Sequence, residues 1–246
     1  MEKLERLLFG KTGLDLSGQI IGQPVPWRLG HLIIIIMVGH FLPALLYLAP
    51  NLIGREGPWL TLMLLIQPLF LIGIIRYMVQ QQTLDEQALL FPNPPPWLRI
   101  IQMAFIWTIV LRLTTVVIAI LQMPLGLVPE EGNNPLLVLE DPATWEIVTM
   151  IIAAGILIPI AEEILYRGIL YRFAGRYLGL AGAAILSSLV WAVMHGTGAL
   201  ILPLSAVGIL LVLLYESTGT LWAPIAAHVG FNVSSFLLIL LFPHVF

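Results

Sequence analysis

Seven long apolar stretches constrain this chain more than any other feature of its sequence. A helix needs about 20 apolar residues to cross a hydrocarbon core of roughly 30 Å. Of 246 residues, 59% are hydrophobic and 10% are charged, whereas soluble domains carry about 25% charged residues. We therefore expect an all-α, polytopic membrane bundle of about seven spans, surrounded by the lipid bilayer. The stretches lie at about 31–49, 58–79, 100–121, 145–172, 180–196, 200–215 and 221–242.

The distribution of charge predicts orientation and domain organisation. Alternating spans put nine of the eleven basic residues on one side, and by the positive-inside rule that side, with the N-terminus, is cytoplasmic. We expect an N-terminal cytoplasmic or interfacial segment at 1–30, membrane helices at 31–144, and a membrane core at 145–246. A net charge of −3 without a basic block argues against a nucleic-acid partner. The chain has no cysteine, which excludes thiol nucleophiles, disulfides and cysteine-based metal sites.

Charged residues interrupt the fourth span. Glu162 and Glu163 lie within ILIPIAEEILYRGILYRF, although a charge at the centre of a membrane helix costs about 2.5–3.5 kcal/mol. Arg167 follows Glu163 by four residues, so the two can pair on one helix face. Glu162 is rotated by about 100° from Glu163 and can point elsewhere. The alternative without a functional role is a charged helix end at the membrane interface.

Two histidine motifs occur in the fifth and seventh spans. His195 lies one turn after Trp191, and Asn232 lies one turn after His228. Taken singly, each histidine is more simply a packed helix contact. However, Glu162 and His195 are equally distant from residues 178–179, where glycines predict a turn between antiparallel helices. We therefore expect the two side chains at similar depths in the membrane.

This constellation suits hydrolysis without a covalent nucleophile. A buried carboxylate can act as a general base on water, and histidine can share the proton transfer. A second histidine with an asparagine offers donors to a developing oxyanion. The same Glu162, His195 and His228 could instead ligate a divalent metal such as zinc. The sequence leaves the metal-dependent and metal-free mechanisms open.

The ordered motifs resemble a known family. Glu162-Glu163-x-x-x-Arg167, an aromatic-x-x-x-His ending at His195, and His228-x-x-x-Asn232 are similar to motifs of the CAAX-processing and bacteriocin-processing intramembrane proteases, the Rce1-like or abortive-infection group. HExxH, GxGD and GxSxG motifs are absent from the sequence. The resemblance covers about residues 145–242. Trp191 departs from the family's usual Phe, which changes the shape of the pocket.

The resemblance implies a role for each motif residue. Glu162 would activate water together with His195, and Glu163 with Arg167 would orient the site. His228 and Asn232 would bind the oxyanion. The family also implies a peptide or membrane-anchored protein as substrate and makes the core at 145–246 the catalytic region.

Two other kinds of function use similar residues. Membrane carboxylates and histidines build proton relays in proton-coupled transporters, and a non-catalytic immunity or scaffold protein could retain the same fold. Arg112 within the third span could neutralise a site glutamate, line the substrate cavity or pair with an unrelated polar group. We expect His40 to be a packing residue.

Overall fold

Every element in the described part of the chain is helical. The computed structural model describes residues 20–21, 25–37, 57–81, 96–127, 143–195 and 198–242. The α-helices are α1 (Leu29–Ile36), α2 (Gly57–Gln81), α3 (Trp97–Gln122), α4 (Thr144–Ile152), α5 (Ile158–Glu163), α6 (Arg172–Met194), α7 (Gly198–Thr218) and α8 (Trp222–Leu241). Their length and apolar composition confirm the expected all-α, multi-pass membrane bundle.

The longest continuous stretch, Thr144–Met194, contains two membrane-crossing arms. Its 51 residues would extend for about 75 Å as one straight helix, more than twice the thickness of a bilayer core. Gly179 breaks it with φ 65° and ψ −176°, a conformation that glycine adopts readily because it has no Cβ. Arg167 and Trp191, each twelve residues from Gly179, face each other with the guanidinium carbon 5.0 Å from the ring centre. The turn expected near 178–179 is confirmed.

Two π-helical segments interrupt the first of these arms. Ala153–Leu157 and Ile164–Tyr171 lie on either side of α5. Pro159 accounts for the first segment, because it has no N–H and its ring displaces the carbonyl one turn earlier. Such wide turns are frequent at functional sites, and here they enclose the Glu162–Glu163 pair.

The helices form two compact units, each assembled from separate parts of the chain. The first contains Met1–Val25, Gln87–Glu131 and Glu163–Phe231. Within it, α6 and α7 pack so closely that a Cβ at Gly208 would lie 2.6 Å from the Ser188 Cβ. Close approach of this kind through small residues is typical of helices packed in membranes.

The second unit contains Pro26–Glu86, Gly132–Glu162 and Asn232–Phe246. Its core is an apolar cluster in which the π-helical segment packs against the C-terminal half of α8. A Cβ at Gly155 would lie 3.1 Å from the Val233 Cγ2, so α8 approaches the backbone of this segment closely. The buried members of the cluster are Met150, Ala154, Phe236 and Ile239.

Six of the seven expected spans coincide with helices in the described residues. Of the first, predicted at 31–49, the structure describes α1, whereas residues 38–49 lie outside the described ranges. His40 therefore also lies outside them. On the described membrane helices many large apolar side chains are exposed, as expected of surfaces that face lipid.

Candidate active site

Glu163 and Arg167 form a buried ion pair. Arg167 Nη1 donates to Glu163 Oε1 at 2.7 Å, and both side chains are fully buried. The pairing expected from their four-residue spacing is confirmed. Arg167 Nη2 also donates to the Gly208 carbonyl at 3.2 Å. The close packing of α6 and α7 at Gly208 thus brings a backbone acceptor to the guanidinium.

His228 joins this pair from α8. Its Nδ1 lies 2.8 Å from the same Glu163 Oε1, and its side chain is 2% exposed. A carboxylate accepts hydrogen bonds, so we place the imidazole proton on Nδ1. The Nε2 of His228 is then the nitrogen directed away from Glu163. The contact joins residues 65 positions apart, and no spacing rule in the sequence predicts it.

Trp191 lies among the charged and imidazole groups of the first unit. The Arg167 guanidinium carbon lies 5.0 Å from its ring centre, a distance suited to a cation–π interaction. The ring centre of His195 lies 4.8 Å away, and that of His228 lies 5.3 Å away at a perpendicular angle. The aromatic residue of the second motif therefore forms a wall shared by the other two motifs.

His195 lies where α6 ends. Its Nδ1 is 2.8 Å from the Trp191 carbonyl oxygen. Since a carbonyl oxygen only accepts, Nδ1 carries the proton, and Nε2 of the neutral ring is an acceptor. The side chain is exposed.

The six predicted site residues divide between the two units. Glu163, Arg167, His195 and His228 are grouped in the first unit, with Trp191 contacting three of them. Glu162 and Asn232 belong to the second unit. There, Glu162 is buried, with 9% of its surface exposed. Asn232 Nδ2 donates to the Ala154 carbonyl at 2.9 Å.

The metal alternative can be compared with the available ligands. A zinc site needs three or four protein ligands, and the sequence offers Glu162, His195 and His228. Within the described ranges, no three His, Cys, Asp or Glu side chains are grouped so that they could hold a metal ion.

Arg112 has identifiable contacts with α8. Its Nη2 donates to the Phe231 carbonyl at 2.7 Å, and its guanidinium carbon lies 4.2 Å from the centre of the Phe231 ring. Arg112 therefore pairs with a backbone carbonyl of α8.

A buried carboxylate at Glu216 is an additional polar centre that the sequence motifs do not include. Tyr171 donates its hydroxyl to Oε1 at 2.7 Å. The backbone N–H groups of Ile20 and Ile21 donate to the same carboxylate at 3.2 and 3.0 Å. The signal in the sequence is a single glutamate at the end of an apolar run, GILLVLLYEST. It is easily missed because no second charged residue accompanies it.

Comparison with known proteins agrees with the motifs. Residues 144–234 match the family described as "Type II CAAX prenyl endopeptidase Rce1-like". The chain is 32% identical over 83 residues to "Putative membrane peptidase YdiL" of Bacillus subtilis (strain 168), a match that spans 34% of each chain. No solved structure matches the chain significantly.

Proposed function

We propose that this protein is an intramembrane endopeptidase, because residues 144–234 match the family described as "Type II CAAX prenyl endopeptidase Rce1-like". Its substrates are membrane-associated peptides or proteins. The observation that carries the proposal is the Glu163–Arg167–His228 network, fully buried in helices within the family match. Unpaired charges in a membrane helix are costly. In this network Glu163 is paired with Arg167 and also holds the imidazole of His228 in position.

Water activation is assigned to Glu162 and His195. In this assignment the carboxylate of Glu162 and Nε2 of His195 accept the proton of the attacking water. The water oxygen bonds to the scissile carbonyl carbon as that proton leaves. When the carbon–nitrogen bond breaks, the same groups return the proton to the departing amine.

Stabilisation of the oxyanion is assigned to His228 and Asn232. With Nδ1–H donated to Glu163, His228 offers an N–H at Nε2 when the ring is an imidazolium. The Glu163 carboxylate accepts hydrogen bonds from both His228 Nδ1 and Arg167 Nη1, which fixes the direction of the ring. The resulting donor faces negative charge that develops only in the transition state, which is the condition for catalysis.

A cleavage assay tests this proposal. The purified protein in detergent is given a farnesylated CAAX peptide, the same peptide without its lipid, and a peptide anchored by one membrane span. We expect cleavage of at least one anchored peptide, with kcat lower by about 100-fold or more in Glu162→Gln and His195→Ala, as for loss of a general base. Glu146→Gln is the matched control, because Glu146 is a buried glutamate that caps α4 through the Ala143 N–H at 2.8 Å, and glutamine retains such a cap.

The outcomes separate the alternatives. Cleavage that persists in both variants contradicts the assignment of roles. If no anchored peptide is cleaved but substrate drives proton flux in liposomes, the protein is a transporter. Full activity after chelation, without stoichiometric zinc, excludes a metal mechanism. Loss of activity that zinc restores would establish the metal-dependent alternative.

A further inference from the structure

Pro159 leaves a backbone carbonyl without its helical partner. The Ile158 N–H donates to the Ala153 carbonyl, five residues earlier. In the same pattern the Ala154 carbonyl would bond to the N–H of residue 159, but proline has none. The four-residue partner of Ala154 is Ile158, whose N–H is already used. A buried carbonyl in this position needs another donor, because an unsatisfied polar group in a membrane costs several kcal/mol.

The side chain of Asn232 supplies that donor. Its Nδ2 lies 2.9 Å from the Ala154 oxygen, and Ala154 is buried. Since the carbonyl can only accept, the contact also determines which end of the carboxamide faces it. Gly155 permits the approach, because a Cβ there would lie 3.1 Å from Val233, the neighbour of Asn232.

We propose that Pro159 is a positioning residue for Asn232. By removing one backbone donor, it makes the Ala154 carbonyl available as the acceptor that fixes the Asn232 carboxamide. One Nδ2–H is then held by Ala154, and the planar amide directs the second Nδ2–H along a single line. This inference rests on the proposed function, in which Asn232 donates to the oxyanion. A donor already oriented before reaction avoids reorganisation in the transition state.

Replacing Pro159 with alanine should restore the backbone donor that proline removes. The new N–H at position 159 can bond to a carbonyl of its own helix and compete with Asn232. Proline inside a helix is destabilising, so the variant should unfold at the same temperature as the wild type or a higher one. A loss of activity would therefore not come from a loss of folding.

The orientation can be measured without substrate. The chain has five asparagines, and in protein labelled with ¹⁵N-asparagine the Asn232 signal is the one missing from Asn232→Ala. We expect one Nδ2 proton of the wild type to be downfield and slow to exchange. In Pro159→Ala its protection should fall by about tenfold, equivalent to about 1.4 kcal/mol and within the range for one lost hydrogen bond. Equal, rapid exchange of both protons in the wild type, or an unchanged spectrum in the variant, would overturn the proposal.

A double-mutant cycle tests the effect on the reaction, with the farnesylated CAAX peptide as probe. Pro159→Ala should lower kcat by about tenfold and change KM by less than about twofold, since only a transition-state interaction is lost. In an Asn232→Ala background the same change should alter kcat by less than about twofold, because the residue it positions is gone. Equal effects in both backgrounds would overturn the proposal. A wild-type protein that cleaves nothing counts against the proposed function alone, and the amide spectrum still decides the positioning.

Discussion

In two membrane helices a proline follows an alanine by about one helical turn: Pro159 follows Ala154, and Pro203 follows Ala199. The carbonyl oxygen of each alanine accepts a hydrogen bond from a side-chain amide. Asn232 donates to Ala154 at 2.9 Å in the second unit. Gln122 donates to Ala199 at 3.1 Å in the first unit. Pro203 lies four residues after Ala199, so it removes the N–H that an α-helix would direct to that carbonyl.

The two regions differ in how the helix absorbs its proline. α7 continues as an α-helix through Pro203, whereas the helix before Pro159 widens into a π-helical segment. They also differ in the side-chain amide that donates to the carbonyl. Asn232 belongs to the third sequence motif, and Gln122 belongs to none. A buried carbonyl that loses its helical donor needs another donor for structural reasons alone. Whether the contact also serves function depends on which side chain supplies that donor.

Removing each amide gives the largest expected contrast. Asn232→Ala should lower kcat by about 10²–10³-fold, as for loss of an oxyanion donor, whereas Gln122→Ala should leave kcat within about twofold. Both lose one hydrogen bond, so each should lower the free energy of unfolding by about 1 kcal/mol. Steady-state cleavage and denaturant unfolding measure the two quantities. Equal kcat values for the two variants would contradict the assignment of an oxyanion donor to Asn232 and not to Gln122.

Removing the second proline gives a smaller contrast. Pro203→Ala restores an N–H beside Ala199 and should displace Gln122, with kcat unchanged within about twofold. Pro159→Ala should lower kcat by about tenfold, because the Asn232 donor loses its fixed orientation. Thermal unfolding of both variants accompanies the kinetics. A tenfold loss in Pro203→Ala would show that helix geometry, and not the recruited amide, governs the rate.

The glycines beside the two carbonyls give the smallest contrast. A Cβ at Gly155 would lie 3.1 Å from a Val233 methyl, whereas a Cβ at Gly198 has no heavy atom within 4 Å. Gly155→Ala should therefore cost about 1 kcal/mol through overpacking and lower kcat a few-fold. Gly198→Ala should be neutral or stabilising by up to about 1 kcal/mol, since alanine favours the helix. The reverse order of stabilities would contradict the close packing at Gly155.

The fold could be predicted well because the bilayer imposes a length on each apolar run. The turn at Gly179 was also predictable, since glycines cluster where the two arms must reverse. The span count was approximate for a different reason. Apolar runs such as 200–215 are shorter than a membrane crossing, and α7 extends past this run to Gly198 and Thr218.

The site was predictable only where its contacts are local. Glu163 and Arg167 are four residues apart, so an ordinary helix places them together. Their contact with His228 crosses 65 positions and depends on tertiary packing. The π-helical segments add a second obstacle, because each extra residue in a turn rotates the next part of the helix by about 100°. The direction of Glu162 therefore could not be extrapolated from an ideal helix.

The Glu216 carboxylate has a consequence for how the protein is made. Two of its donors, the N–H groups of Ile20 and Ile21, are separated from it by 196 and 195 residues. At about 5–20 residues per second, a ribosome synthesises Glu216 roughly 10–40 s after this segment. The contacts of this segment with Glu216 can therefore form only when synthesis of α7 is nearly complete.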